Sequence, residues 1–325
     1  MAIGSDDDEG QFFNSTGISH NVHFFFGMYC TIFPFIASTG NVIFVMVCIS
    51  DREYRSLSST QILLWSSCSQ LLSCSFHSLG GIFALTSVEI PFIVNKICGA
   101  LMAGNDTFQY ALILLLALNR TIAVCSLHRF DLLFCPRNLK ICLCLCMLDG
   151  AIFVAAYLLP WFNFTFDIHR LCWIDSGELI DYIISVDFCE TMLKLLIAFG
   201  LYLIILLYLR IKKSIKSTFS ERKVFFQSLF VILIPFLDFF AFYYTEFIGS
   251  GYFFVMASNV SWMFMLCVNP YIYIAVNRTL RQKYVMILHQ ICGMNQTKRF
   301  APSASRLSKG EIYLKNILKT KVVPI

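Results

Sequence analysis

Several charged side chains fall inside stretches of otherwise apolar sequence: Asp106, Asp149, Glu190, Lys194, Asp238 and, near the edge of one stretch, Glu246. Charges in such surroundings are costly, and they face partners, a water-filled cavity or a ligand. Glu190 and Lys194 stand four residues apart with the acid first, the favourable order for an ion pair within one helix. Asp106 has no partner at helical spacing in its own stretch. It either bonds Lys194 or a serine on another helix, or it contacts a polar or cationic ligand. Gln109 and Asp238 join it as candidate ligand-binding residues. None of these groups forms a catalytic set. The histidines, at 20, 23, 77, 128, 169 and 289, are scattered. Cys142, Cys144 and Cys146 alternate within an apolar stretch, so they cannot share one helical face and read as small packing residues. There is no phosphate-binding loop and no nucleotide fingerprint. The sequence therefore predicts no enzyme, no metal, no cofactor and no nucleic-acid partner.

The elements that must hold these charges are membrane helices. The chain is 58% hydrophobic and only 14% charged, with a mean hydropathy of +0.70. A soluble domain averages about 45–50% apolar and about 25% charged. The excess is segmental. Apolar runs cover about 24–49, 60–85, 98–125, 141–161, 185–209, 224–247 and 252–276. Each has the roughly 20 residues needed to cross the hydrocarbon of a bilayer. The second is unusually polar, with Ser66, Ser67, Ser69, Gln70, Ser73 and Ser75, which suits a helix packed among other helices. The fold class expected is an all-α membrane protein, a bundle of seven transmembrane helices.

Orientation follows from Lys and Arg. All but Lys96, Arg170 and Lys194 of the 25 basic residues fall on one side of the seven runs. The N-terminus is thus expected outside and the C-terminus inside the cell. Residues 1–22 read as a polar, acidic outer tail carrying a glycosylation sequon at Asn14. Residues 23–277 are the helical domain. Residues 278–292 read as a short interfacial helix, with Leu280, Tyr284, Ile287, Leu288 and Ile291 on one stripe opposite Arg281 and Lys283. Residues 293–325 form a flexible cytoplasmic tail. Cys292 is either a palmitoylation site or an inert thiol.

Two motifs sit at the inner ends of the helices. Val268-Asn269-Pro270-Tyr271-Ile272-Tyr273 closes the last run. A proline there frees a backbone carbonyl and kinks the helix, which a neighbouring side chain can satisfy. Asn269 offers an amide for this, and Tyr273 places a phenol at the boundary. The third run ends Leu118-Asn119-Arg120-Thr121, where Arg120 either snorkels to the interface or serves as a switch.

The Asn-Pro-x-x-Tyr pattern at the end of a last helix, with a basic amphipathic segment after it, resembles rhodopsin-like G-protein-coupled receptors. Leu118-Asn119-Arg120 is similar to their Asp-Arg-Tyr motif, with Asn119 in place of the acid that locks the arginine. Gly40-Asn41 matches their first helix, where the asparagine is implied to bond helices two and seven. The resemblance implies that Asn119, Arg120, Pro235, Asn269, Pro270 and Tyr273 form the switch that couples to a G protein. It also implies a disulfide between Cys98 and Cys172, with Cys189 as the alternative partner. In amine receptors of this class the ligand-binding aspartate lies one turn outward of Asp106, where this chain has Met102. Two hallmarks are missing. Helix two has Ser69 and Gln70 where an aspartate is usual, and Pro235 lacks its tryptophan, so the class's sodium site is not implied. Ala123-Val124, Leu132-Leu133-Phe134, Val186-Asp187-Phe188 and the 221–227 stretch resemble nematode chemoreceptors, most nearly serpentine receptor class X. This implies a chemosensory receptor for a small molecule in the plasma or ciliary membrane of sensory neurons, embedded in lipid and signalling through a heterotrimeric G protein. The alternative is a seven-helix ligand-gated channel or transporter.

Overall fold

The computed structural model describes residues 20–125, 133–168, 170–211, 229–230, 233–240 and 252–291. Asn14, Glu246 and Cys292 lie outside the described residues, as does most of the sixth apolar run. The described chain is helical apart from one hairpin. Its elements are α1 (His20–Ser50), α2 (Arg52–Arg55), α3 (Ser58–Thr86), α4 (Phe92–Cys125), α5 (Pro136–Leu158), β1 (Asn163–Asp167), β2 (Cys172–Ser176), α6 (Ile180–Ile211), α7 (Tyr252–Val276) and α8 (Arg278–Ile291). A further helical stretch covers 233–240. One unit holds the described residues through Tyr284, and Val285–Ile291 continue α8.

Among the described residues, four helices, α1, α4, α5 and α6, are long and apolar enough to cross a membrane. The two halves of α7, bent by 44° where they meet, make a fifth if they are one span. The polarity of α3 has a structural reason. Ser67, Ser69, Gln70, Ser73 and His77 are all buried inside the bundle. Asn105 of α4 donates to the Ser69 carbonyl (3.0 Å) and the Ser73 hydroxyl (2.7 Å), and Ser69 Oγ donates back to Asn105 Oδ1 (2.8 Å). In an apolar surround such a fully paired cluster is stable only while every member stays satisfied. Helices α4 and α5 cross at Gly104 and Gly150, where a Cβ on Gly104 would come within 2.5 Å of the Gly150 carbonyl oxygen. Only glycine allows backbones this close.

The 162–187 segment, between the fourth and fifth apolar runs, contains an antiparallel hairpin in register Phe164↔Asp175 and Phe166↔Trp173. Period-2 alternation turns Phe164 and Phe166 inward. Asn95 of α4 clamps β1 like an added strand. Its Oδ1 accepts from Phe166 N (2.8 Å) and its Nδ2 donates to Phe166 O (2.9 Å). Asn259 of α7 donates to the carbonyl of Leu171 (3.0 Å), the left-handed residue at the turn.

Amides and phenols tie the opposite end together. Pro270 cannot donate to Leu266 O, four residues back, and Asn41 Nδ2 reaches that carbonyl at 3.5 Å instead. The freed carbonyl thus goes to Asn41 rather than to Asn269, whose own Oδ1 is buried without a hydrogen-bond partner. Asn277 caps α8 by accepting from Leu280 N at 3.1 Å. Arg281 Nη1 donates to the last carbonyls of α7, at Ile274 and Ala275. Lys283 bonds Asp51 and sits 4.9 Å over the Tyr54 ring, and Tyr284 donates to Gly40 O. On the expected apolar stripe Leu280, Tyr284 and Ile287 are buried and Leu288 remains exposed.

Candidate functional site

A partly open cavity lies beneath the hairpin. Helix α4 contributes Ala103, Asp106, Thr107 and Tyr110, a single face by their spacing of three, one and three residues. Helix α6 adds Ile184, Asp187 and Thr191 by the same periodicity. Tyr157 comes from α5, Phe164 and Asp175 from the hairpin, Asp238 and Phe239 from the 233–240 stretch, and Trp262 from α7. The hairpin can lie this close because α4 has glycine at position 99. A Cβ there would come within 1.6 Å of the Phe164 carbonyl oxygen. Aromatic contacts then build the wall: Phe164 lies 5.9 Å from Tyr157 and 6.5 Å from Trp262, centroid to centroid. His77 of α3 meets the Trp262 ring edge-on at 4.7 Å.

Asp106 and Asp238 therefore share one cavity. Gln109 does not line it. That side chain is buried elsewhere on α4, with Nε2 unpartnered, because its position, one residue before Tyr110 and two after Thr107, lies roughly 110° round the helix from the centre of the Ala103–Tyr110 face. Lys194 is not the partner of Asp106. It binds Glu190 on its own helix, as the spacing predicts, and Asp149 of α5. Asp106 instead meets the Trp262 side chain, while its Oδ1 is buried with no hydrogen-bond partner. Asp238 pairs with the Ser261 side chain, and Asp175 accepts from Tyr157 at 3.1 Å. Asp187 and Asp238 lie near enough to Asp106 for their charges to act on it.

Cys98 and Cys172, the pair implied by the resemblance, and Cys189, the alternative partner, are all free thiols in this structure. The strand packed on α4 is β1, whereas Cys172 is on β2, which reaches α7. Burial pushes the Cys172 thiol up to about 12, Asp167 adds to the shift and Arg170 opposes it.

At the far end of α4, Asn119 is buried and donates to Ser58 Oγ at 2.9 Å. Arg120 Nε has no hydrogen-bond partner, and its charge is felt by the phenols of Tyr54 and Tyr273. Burial above all pushes the Tyr54 phenol up to about 12. Tyr273 is buried beside Tyr202 of α6. The structure thus brings Arg120 and Tyr273 together and adds Tyr54 and Tyr202 to them. Pro235 is buried within the 233–240 stretch.

Residues 13–298 match the family described as serpentine type 7TM GPCR chemoreceptor Srt. The chain belongs to the Srt family. It is a seven-helix chemoreceptor of the G-protein-coupled type, a membrane protein of sensory perception and not an enzyme. The matching family is Srt, not the class X group that the sequence resemblance favoured. Nothing favours the channel or transporter alternative. No curated protein matches the chain. Sequence reasoning on this Srt receptor missed Asp187, Asp175, Tyr157 and Trp262. Asp187 carried a signal, being a charge inside the fifth apolar run. Asp175 and Tyr157 carried none, since only the hairpin brings Asp175, and the packing of α5 brings Tyr157, to the cavity.

Proposed function

We propose that this Srt receptor lies in the plasma membrane, sensory cilia included, with its N-terminus outside. A small molecule enters beneath the hairpin and occupies the cavity at Asp106 and Asp238. Its binding favours one of two helix arrangements. The change reaches Arg120, Asn269, Pro270 and Tyr273, with the sixth apolar run pivoting at Pro235. Arg120 and the basic 210–223 segment then receive a heterotrimeric G protein.

One observation carries this reading: α4 bears both the cavity and the arginine. Asp106 and Arg120 are 14 positions apart on one continuous helix, about 21 Å at 1.5 Å per residue. A rigid helix moved at one end moves at the other. The absence of an acid at position 119 fits a loosely held inactive state, with Asn119 spent on Ser58. The test is Arg120→Ala, measured by G-protein activation and surface expression together. Lost activation at normal expression is expected. Normal signalling would reduce Arg120 to an interfacial anchor.

A further inference from the structure

We propose that the cavity selects a protonated amine, a small organic cation with N–H donors and an apolar or aromatic body. This rests on the reading of the cavity as the ligand site and gives that ligand a chemical class.

Four carboxylates reach the cavity from four separate elements: Asp106 from α4, Asp175 from β2, Asp187 from α6 and Asp238 from the 233–240 stretch. Among the described lining residues there is no Lys, Arg or His. The basic side chain one turn beyond Thr191, Lys194, is held by Glu190 and Asp149. Two of the four acids are already engaged by side-chain donors, Asp175 by Tyr157 and Asp238 by Ser261, and Asp187 has an interaction of its own. Asp106 is different. One carboxylate oxygen is buried and lacks any hydrogen-bond donor, on a side chain that lines the cavity. An acceptor left unpaired in an apolar interior is costly, and a donor brought by a ligand relieves that cost. The neighbouring negative charges of Asp187 and Asp238 make a cationic donor better than a neutral one and oppose an anion.

The remaining wall fits the rest of such a molecule. Tyr110, Tyr157, Phe164, Phe239 and Trp262 present aromatic rings, which attract a cation to their faces and cover an apolar body. An amine with N–H groups can serve both the Asp106 oxygen and the rings. A quaternary ammonium carries the charge but has no N–H to donate to the Asp106 oxygen.

The experiment uses the full chain in cells carrying a promiscuous Gα, with calcium as the readout and surface labelling as control. The probes are 2-phenylethylamine, 1,5-diaminopentane and octylamine, their alcohol counterparts, phenylacetate and octanoate, and trimethyl-2-phenylethylammonium. Amines should act, with alcohols, carboxylates and the quaternary ion weaker by at least about tenfold. Asp106→Asn should weaken the active amine by a similar factor, and Asp106→Glu should retain part of its potency. If Asp106→Asn is not displayed at the surface, Asp106→Glu and Asp187→Asn carry the test. Silence from every amine overturns the proposal, whatever else acts, and so does unchanged amine potency in the displayed variants. Ile184→Trp, which fills the cavity, separates the two levels. If it abolishes the response to an alcohol or carboxylate while amines are inert, the cavity reading stands and the amine inference falls. If it leaves all responses unchanged, the cavity reading itself falls.

Discussion

Asn41 does work that the backbone of α7 cannot. Pro270 removes the donor owed to Leu266 O, and the Asn41 amide supplies it from another helix. Asn41→Ala should therefore lower stability by about 1 kcal/mol, read as a lower unfolding temperature in detergent. In a Pro270→Ala background the Leu266 carbonyl regains its helical donor. The same Asn41→Ala change should then cost much less. An equal cost in both backgrounds would show that the two residues are not coupled. At the other motif, Asn119 donates to Ser58 and offers Arg120 no negative charge. Asn119→Asp should lower basal signalling by giving Arg120 an ionic partner. A rise in basal signalling would mean that the Ser58 bond, rather than a lock, holds the inactive state.

Hairpin and helix meet through side chains rather than through a disulfide. Asn95 makes two bonds to Phe166, and Asn259 makes one to Leu171. Alkylating the intact receptor and mapping its cysteines should recover Cys98 and Cys172 as separate thiols. Cys172 should react more slowly than the less buried Cys98, since burial disfavours its thiolate. Recovery of the pair as one linked peptide would restore the bridge. Cys98→Ser should leave surface expression intact, whereas Asn95→Ala, which orphans both polar groups of Phe166, should reduce it. The α4–α5 crossing is more demanding. A side chain on Gly104 meets Val154 Cγ2 at 2.3 Å as well as the Gly150 carbonyl. Gly104→Leu must push two helices apart, and the expected result is loss of folded receptor.

For the whole molecule, topology is the quantity to test. The distribution of Lys and Arg predicts an N-terminus outside the cell. Asn14 should be glycosylated, and Asn105 and Asn119, buried in α4, should not. A C-terminal tag should be reached by antibody only after permeabilisation. Its detection on intact cells would invert the receptor and put Arg120 on the wrong side for a G protein.

The sequence by itself determined the class, the helices and the pairing of Glu190 with Lys194. These follow from runs of apolar residues, from charge placement and from spacing along a single helix, all of which are local. It also fixed which carboxylates needed explaining, because an acid inside an apolar run is conspicuous before any fold is known. The tertiary structure decided who meets whom. Gln109 and Asp106 are three residues apart, yet only one faces the cavity, because helix rotation settles it. Cys98 and Cys172 are free thiols on separate elements, and it is β1 rather than β2 that lies along α4. Asp175 enters the cavity through strand register, and Trp262 through the way α7 packs against α3 and the hairpin. Contacts between distant segments depend on how helices tilt and cross, and crossings such as Gly104 over Gly150 are set by pairs of residues that no single stretch of sequence reveals.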